Sequence, residues 1–187
     1  MTALRRFEEA ERLLRRALER DPASPLLAFH EGRLHYTAGR FSRAVNVLRE
    51  VIEREPGYEV ARYYLALSYS YTGRHEEAMR ELRASKRQAH LQETEEAWIL
   101  ARAGKKEQAE SLLARRREQV NRGEASPIVL PVLAIAIGRQ EEAINALERC
   151  VERRSIELLA LLAEPRFAPL RGNPRFVALA ARIHPAS

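Results

Sequence analysis

The apolar positions of the chain fall into short helical words that recur. In "FSRAVNVLREVIERE", Phe41, Ala44, Val45, Leu48, Val51 and Ile52 share one helix face, with charged residues on the other. The preceding stretch, "PLLAFHEGRLHYTA", has the same helical period; it follows Ser24 and carries Pro25 in its first turn. Gly39 stands between the two words, and glycine adopts a left-handed helix end at low steric cost. Pro56 stops the second word, and Tyr58 begins the next stretch. The pattern predicts two paired helices over residues 25–57.

The pair repeats. Ala10, Ala44, Ala78, Ala109 and Ala143 head the same apolar pattern, at separations of 34, 34, 31 and 34 residues. Gly39, Gly73, Gly104 and Gly138 each precede the last four by five residues, and Pro22 and Pro56 close the first two words. A period of this length marks stacked helical units, each too small to bury its own apolar face and each covered by its neighbour. Small Gly32 and Ala44 let paired helices approach closely. The units expected are a half unit at 1–24, full units at about 25–57, 58–89, 90–123 and 124–154, and a closing segment at 155–187.

Gly32, Ala44, Leu48 and Pro56 in one unit, and Leu65, Ala66, Tyr69, Gly73, Ala78 and Leu82 in the next, resemble the tetratricopeptide repeat. "EEAWILARAGKKEQAESLLARRRE" and "PVLAIAIGRQEEAINALERCVERR" continue in phase, so the resemblance covers residues 7–154. It implies an all-α fold: a right-handed α-solenoid of stacked antiparallel helix pairs, a single superhelical domain with a C-terminal cap. It also implies a non-catalytic protein–protein interaction module, a scaffold or adaptor, whose first helices line a concave groove.

Both ends depart from the period. The first helix, residues 3–20, is the second half of a unit, which leaves Phe7, Leu13, Leu14 and Leu18 with one side uncovered. A shortened or truncated unit accounts for this, as does self-association through that face. At the other end stand Pro165-Arg166-Phe167, Pro169-Leu170-Arg171 and Pro174-Arg175-Phe176. These words resemble the closing segment of many bacterial tetratricopeptide proteins. Asn173 is placed to cap a helix with Pro174 at its first position, and Phe176, Leu179 and Ile183 form an apolar stripe joined by Phe167 and Leu170. The segment reads as the cap that buries the last unit, with Arg166 and Arg175 expected to bond helix carbonyls.

Charge adds a second reading. Lys+Arg 32 against Asp+Glu 26 gives a formal charge of +6, but the signs interleave as on solvated helix faces. The best feature for a basic α-solenoid binding nucleic acid is Arg115-Arg116-Arg117, with Lys105 and Lys106 on the same helix and Glu107, Glu110 and Glu118 among them. No signal peptide or apolar membrane span is visible, which predicts a cytoplasmic chain with no membrane partner. Cys150 is alone, so no internal disulfide or CxxC zinc site forms, and it reads as a small buried hydrophobe.

Catalytic signatures are missing: no Gly-rich phosphate loop, HExxH or GxSxG. The chain is not expected to be an enzyme or to hold a cofactor. His30, His35, His75, His90 and His184 are scattered, and Glu31 with His35 offers two metal ligands without a third. His75 takes the place held by Phe7 and Phe41 in sibling units, which suits packing.

Every tyrosine lies between Tyr36 and Tyr71. Residues one unit apart form rows on the first helices: Phe29 with Tyr63, Arg33 with Leu67 and Trp98, and Thr37 with Tyr71 and Arg102. The groove is therefore expected to present Phe29, His30, Arg33, Tyr36, Tyr63, Tyr64, Leu67, Tyr71, Trp98 and Arg102 to a peptide or protein partner. Tyr, Trp and Arg dominate binding hot spots. Some members of the family grip a terminal carboxylate with Lys and Asn; here Phe29, Arg33 and Tyr64 occupy those places. An extended peptide or amphipathic helix with apolar anchors and acidic residues fits better.

Overall fold

The helical period is set by how each helix ends. At the end of the helix over Pro25–Thr37, the Gly39 N–H donates to the Tyr36 carbonyl at 2.9 Å and the Arg40 N–H to the His35 carbonyl at 2.8 Å. That closure requires a left-handed residue, and Gly39 has a φ of 75°. The same bonds recur around Gly104 and Gly138, and the chain reverses at each.

The computed structural model describes residues 2–85, 89–152 and 164–183, with side chains over 7–85, 92–152 and 164–183. The protein is all-α, a solenoid-type array of adjacent helix pairs. It divides into two compact units, residues 1–87 and 88–187. The first holds α1 (Thr2–Arg20), α2 (Pro25–Thr37), α3 (Phe41–Arg54), α4 (Glu59–Tyr71) and α5 (His75–Ala84). The second holds α6 (Ala89–Arg102), α7 (Lys106–Asn121), α8 (Val129–Ala136), α9 (Gln140–Glu152), a 3-10 segment (Pro165–Leu170) and α10 (Pro174–Ile183).

In the first unit α2 packs on α3, α3 on α4 and α4 on α5. The α2–α3 contact is close because Gly32 faces Leu48: a Cβ at Gly32 would sit 2.6 Å from Leu48 Cγ and Cδ2. Overpacking of this kind costs about 1–3 kcal/mol, which exceeds the helix-propensity gain of alanine over glycine, about 1 kcal/mol. Gly32→Ala is thus expected to lower the urea midpoint at an unchanged slope; an equal or higher midpoint would show that Leu48 moves aside freely. A second lock joins α4 to α5, where the Arg62 guanidinium pairs with Glu81 and also donates to the Pro56 carbonyl at 2.9 Å. On α1, Leu14 and Leu18 are half-buried while Leu13 is 55% exposed.

The second unit has its core at Ala97, Ala109, Leu113, Leu133 and Ile137, and buries Cys150. Its closing residues pack onto the last helix pair. The Arg175 N–H donates to Asn173 Oδ1 at 2.9 Å, which caps α10, and Phe176 and Leu179 are buried. Phe167 and Leu170 are fully buried as well. The two arginines correct the expectation that they bond helix carbonyls. Arg166 donates to Glu95 at 2.7 Å and to Glu164 at 2.6 Å. Arg175 donates to Glu148, Glu141 and Asn145 of α9 at 2.6–3.0 Å. Carboxylates are the better acceptors for a guanidinium, because they carry the opposite charge and two oxygens that match its fork. Residues 155–163 and 184–187 of the expected cap, His184 among them, and the side chain of His90 lie outside the described residues. Among the described residues no helix is long and apolar enough to cross a membrane.

Candidate functional site

The candidate residues separate by depth. On α2, Phe29 and Tyr36 are buried, His30 is half-buried and Arg33 is exposed. On α4, Leu67 is buried, while Tyr63, Tyr64 and Tyr71 are half-buried. The buried rings form one network. Tyr36 meets Tyr64 at 5.3 Å, Phe41 at 5.8 Å and Tyr71 at 6.1 Å between centroids, all edge-to-face. Tyr71 stacks on Phe41 at 3.9 Å, and Phe29 meets Tyr58 at 5.3 Å and Tyr64 at 5.9 Å. The edge-to-face contacts of Tyr36 are a favoured geometry for aromatic pairs. Phe29, Tyr36 and Leu67 are therefore core residues. Tyr64 and Tyr71 belong half to that core, so a charged substitution there would disturb packing as well as any ligand.

Of the candidates in this unit, Arg33 is exposed and His30, Tyr63, Tyr64 and Tyr71 are partly exposed, the Tyr71 hydroxyl being buried. The Tyr63 and Tyr64 rings touch at 5.1 Å. Burial holds the His30 imidazole below its usual range, and the nearby Arg33 charge adds to the effect. His30 is neutral at neutral pH, and Arg33 carries the local charge. Phe41 and Tyr58 were not among the predicted site residues, yet they complete the ring network. The signal for Phe41 lay on the apolar face of α3.

Trp98 and Arg102 lie in the second unit. Trp98 is buried, with the guanidiniums of Arg166 at 5.8 Å and Arg102 at 5.9 Å from its ring; Arg102 is exposed. The basic run of α7 is spent on neighbours: Arg115 pairs with Glu93 at 2.8 Å, Arg117 pairs with Glu142, and Arg116 is buried with a bond to Gln119 at 2.8 Å. His35 Nε2 stands 3.9 Å from Glu31 Oε1. Among the described residues no group of three or more His, Cys, Asp or Glu is placed to hold a metal ion.

Comparison with known proteins bears on the first unit most directly. The family model described as tetratricopeptide repeat matches residues 1–48 and 35–95. No curated protein matches the chain. Among solved structures, the chain is similar to the crystal structure of YrrB, described as a TPR protein with an unusual peptide-binding site. The likeness has 14% sequence identity, covers 92% of this chain and 93% of that one, and has a TM-score of 0.48.

Proposed function

The chain belongs to the tetratricopeptide repeat family, and we propose that it is a non-catalytic protein-interaction module that holds a peptide on the α2–α4 face. Tetratricopeptide repeats are protein-binding modules, which supports the class of function. The observation that carries the finer reading is the exposed Arg33 with a neutral His30 on α2, and the half-buried Tyr63 and Tyr64 on the adjoining α4, where Tyr64 meets Phe29 of α2. A cation and aromatic rings on adjoining helices suit an extended peptide or helix that offers an apolar anchor and an acidic residue. The tyrosines are rigid, so they bind at low entropic cost. A scaffold or adaptor role follows from holding a partner without acting on it. The nucleic-acid reading is weakened at Arg115-Arg116-Arg117, where Arg116 is buried and Arg115 and Arg117 pair with Glu93 and Glu142, while Lys105 and Lys106 stay exposed.

The test is binding of the purified chain to an array of peptides that combine acidic and aromatic residues. Arg33→Glu is expected to weaken the bound peptides at least tenfold, about 1.4 kcal/mol, with helix content and urea midpoint unchanged. Equal binding by the folded variant refutes the α2–α4 site. If wild type captures no peptide but binds DNA with a steep loss on added salt, the peptide reading fails and nucleic acid replaces it.

A further inference from the structure

The α2–α4 face makes no use of the Pro-Arg-Phe words near the C-terminus. The first of them lies in Pro165–Leu170, a 3-10 segment framed by Pro165 and Pro169. The segment packs on α8 and α9, and through Arg166 it reaches α6. Its side chains are sunk into the unit: Arg166 is 3% exposed, and Phe167 and Leu170 are fully buried. Arg166 bonds Glu95 of α6, a residue 71 positions away, and lies over the ring of Trp98 on the same helix.

This is the anatomy of a bound peptide. A guanidinium held by a desolvated carboxylate and an indole face, beside a buried aromatic anchor, is the residue set that dominates interface energetics. Two prolines fix the backbone and reduce the entropy lost on docking. Glu95 of α6 supplies the receptor's carboxylate for the guanidinium, while Glu164, which belongs to the docked segment, adds a second acceptor from the segment's own side. We propose that the α6–α8 face of the second unit is a receptor for a proline-framed peptide with adjacent arginine and phenylalanine, and that the chain's own Pro165–Leu170 occupies it in cis. A partner segment of the same chemistry binds in trans when that segment leaves. Tethering sets the strength of the block, because a segment on the same chain acts at an effective concentration on the order of millimolar. The inference concerns a different unit from the α2–α4 site and stands or falls separately from it.

The test uses the full chain and a labelled peptide with the sequence of residues 164–173. The double variant Arg166→Gln with Phe167→Ala weakens the cis segment while leaving Glu95 and Trp98 in place. This variant, folded by circular dichroism, is expected to bind the peptide at least tenfold more tightly than wild type. Adding Glu95→Ala is expected to remove that gain. Equal binding by wild type and the double variant, no binding by the folded variant, or a gain that survives Glu95→Ala overturns the proposal. Should the double variant lose its helix content, Arg166→Lys alone takes its place. It keeps the charge but not the forked geometry, and affinity equal to wild type then overturns the proposal.

Discussion

Replacing Tyr36 with alanine is expected to lower the unfolding free energy by about 3–5 kcal/mol, the range for removing a large aromatic side chain from a packed core. Tyr36 is fully buried, and its ring is edge-to-face with those of Phe41, Tyr64 and Tyr71. A buried ring removes roughly 150–250 Å² from water, worth roughly 4–6 kcal/mol at about 25 cal/mol per Å². Residual compaction of the unfolded chain trims that by roughly a tenth to two-fifths, which returns the same range. The rings around Tyr36 come from α3 and α4, so no single neighbour can collapse into the hole. Arg33→Glu is the control on the same helix: exposed surface changes shift stability by only about 0.5 kcal/mol. Urea unfolding followed by circular dichroism separates the two. If Tyr36→Ala unfolds at the wild-type midpoint, the ring is no part of the core and the face has been read inside out.

The split between Tyr36 and Arg33 shows what the period could and could not convey. Spacing of 34 residues identifies which residues occupy equivalent places, so Gly32, Ala44 and Leu48 were legible as a helix-packing set, and Gly39 as a chain reversal. It does not say what covers a given row. Each helix of a stacked array is touched on two sides, and a tyrosine pattern on one helix looks alike whether its rings meet a ligand or the next helix. Leu67 was placed on the groove by its row and Tyr36 by lying near the rows, yet both are buried.

Charge was less legible still, because its partners lie on other helices. Arg115-Arg116-Arg117 reads as a basic run along one helix, but Glu93 comes from α6 and Glu142 from α9. Local spacing rules reach three or four residues and cannot see such pairs. The Arg166–Glu95 contact is the extreme case, since nothing near either residue marks the other. Trp98 was expected on the groove, but it is buried, and the guanidinium over its ring is the chain's own.

That contact gives the second large effect. Arg166→Met is expected to destabilise the second unit by about 3 kcal/mol at neutral pH, the low end for breaking a buried ion pair. The low end applies because Glu164 keeps 18% of its side-chain exposure and Glu95 11%, so water relieves part of the penalty. Methionine retains the length and apolar volume of the arginine stem, which leaves the charge as the variable. The pH dependence has a definite sign. Burial already pushes the Glu164 carboxyl above its usual range, with Arg166 opposing and Glu95 adding to the shift. A carboxyl whose folded pKa is raised penalises the folded state above that pKa, and the penalty disappears as pH falls through it toward the unfolded value. Removing Arg166 removes the opposing pull, so the penalty grows at neutral pH and still vanishes in acid. The gap in stability between wild type and Arg166→Met is therefore expected to be widest at neutral pH and to narrow as the solution is acidified into the carboxylate range. Urea midpoints taken across that interval measure it, with the lone Trp98 as a fluorescent reporter beside the site. A gap that stays constant with pH would mean that the loss comes from packing alone and that the Glu164 carboxyl never depended on the arginine.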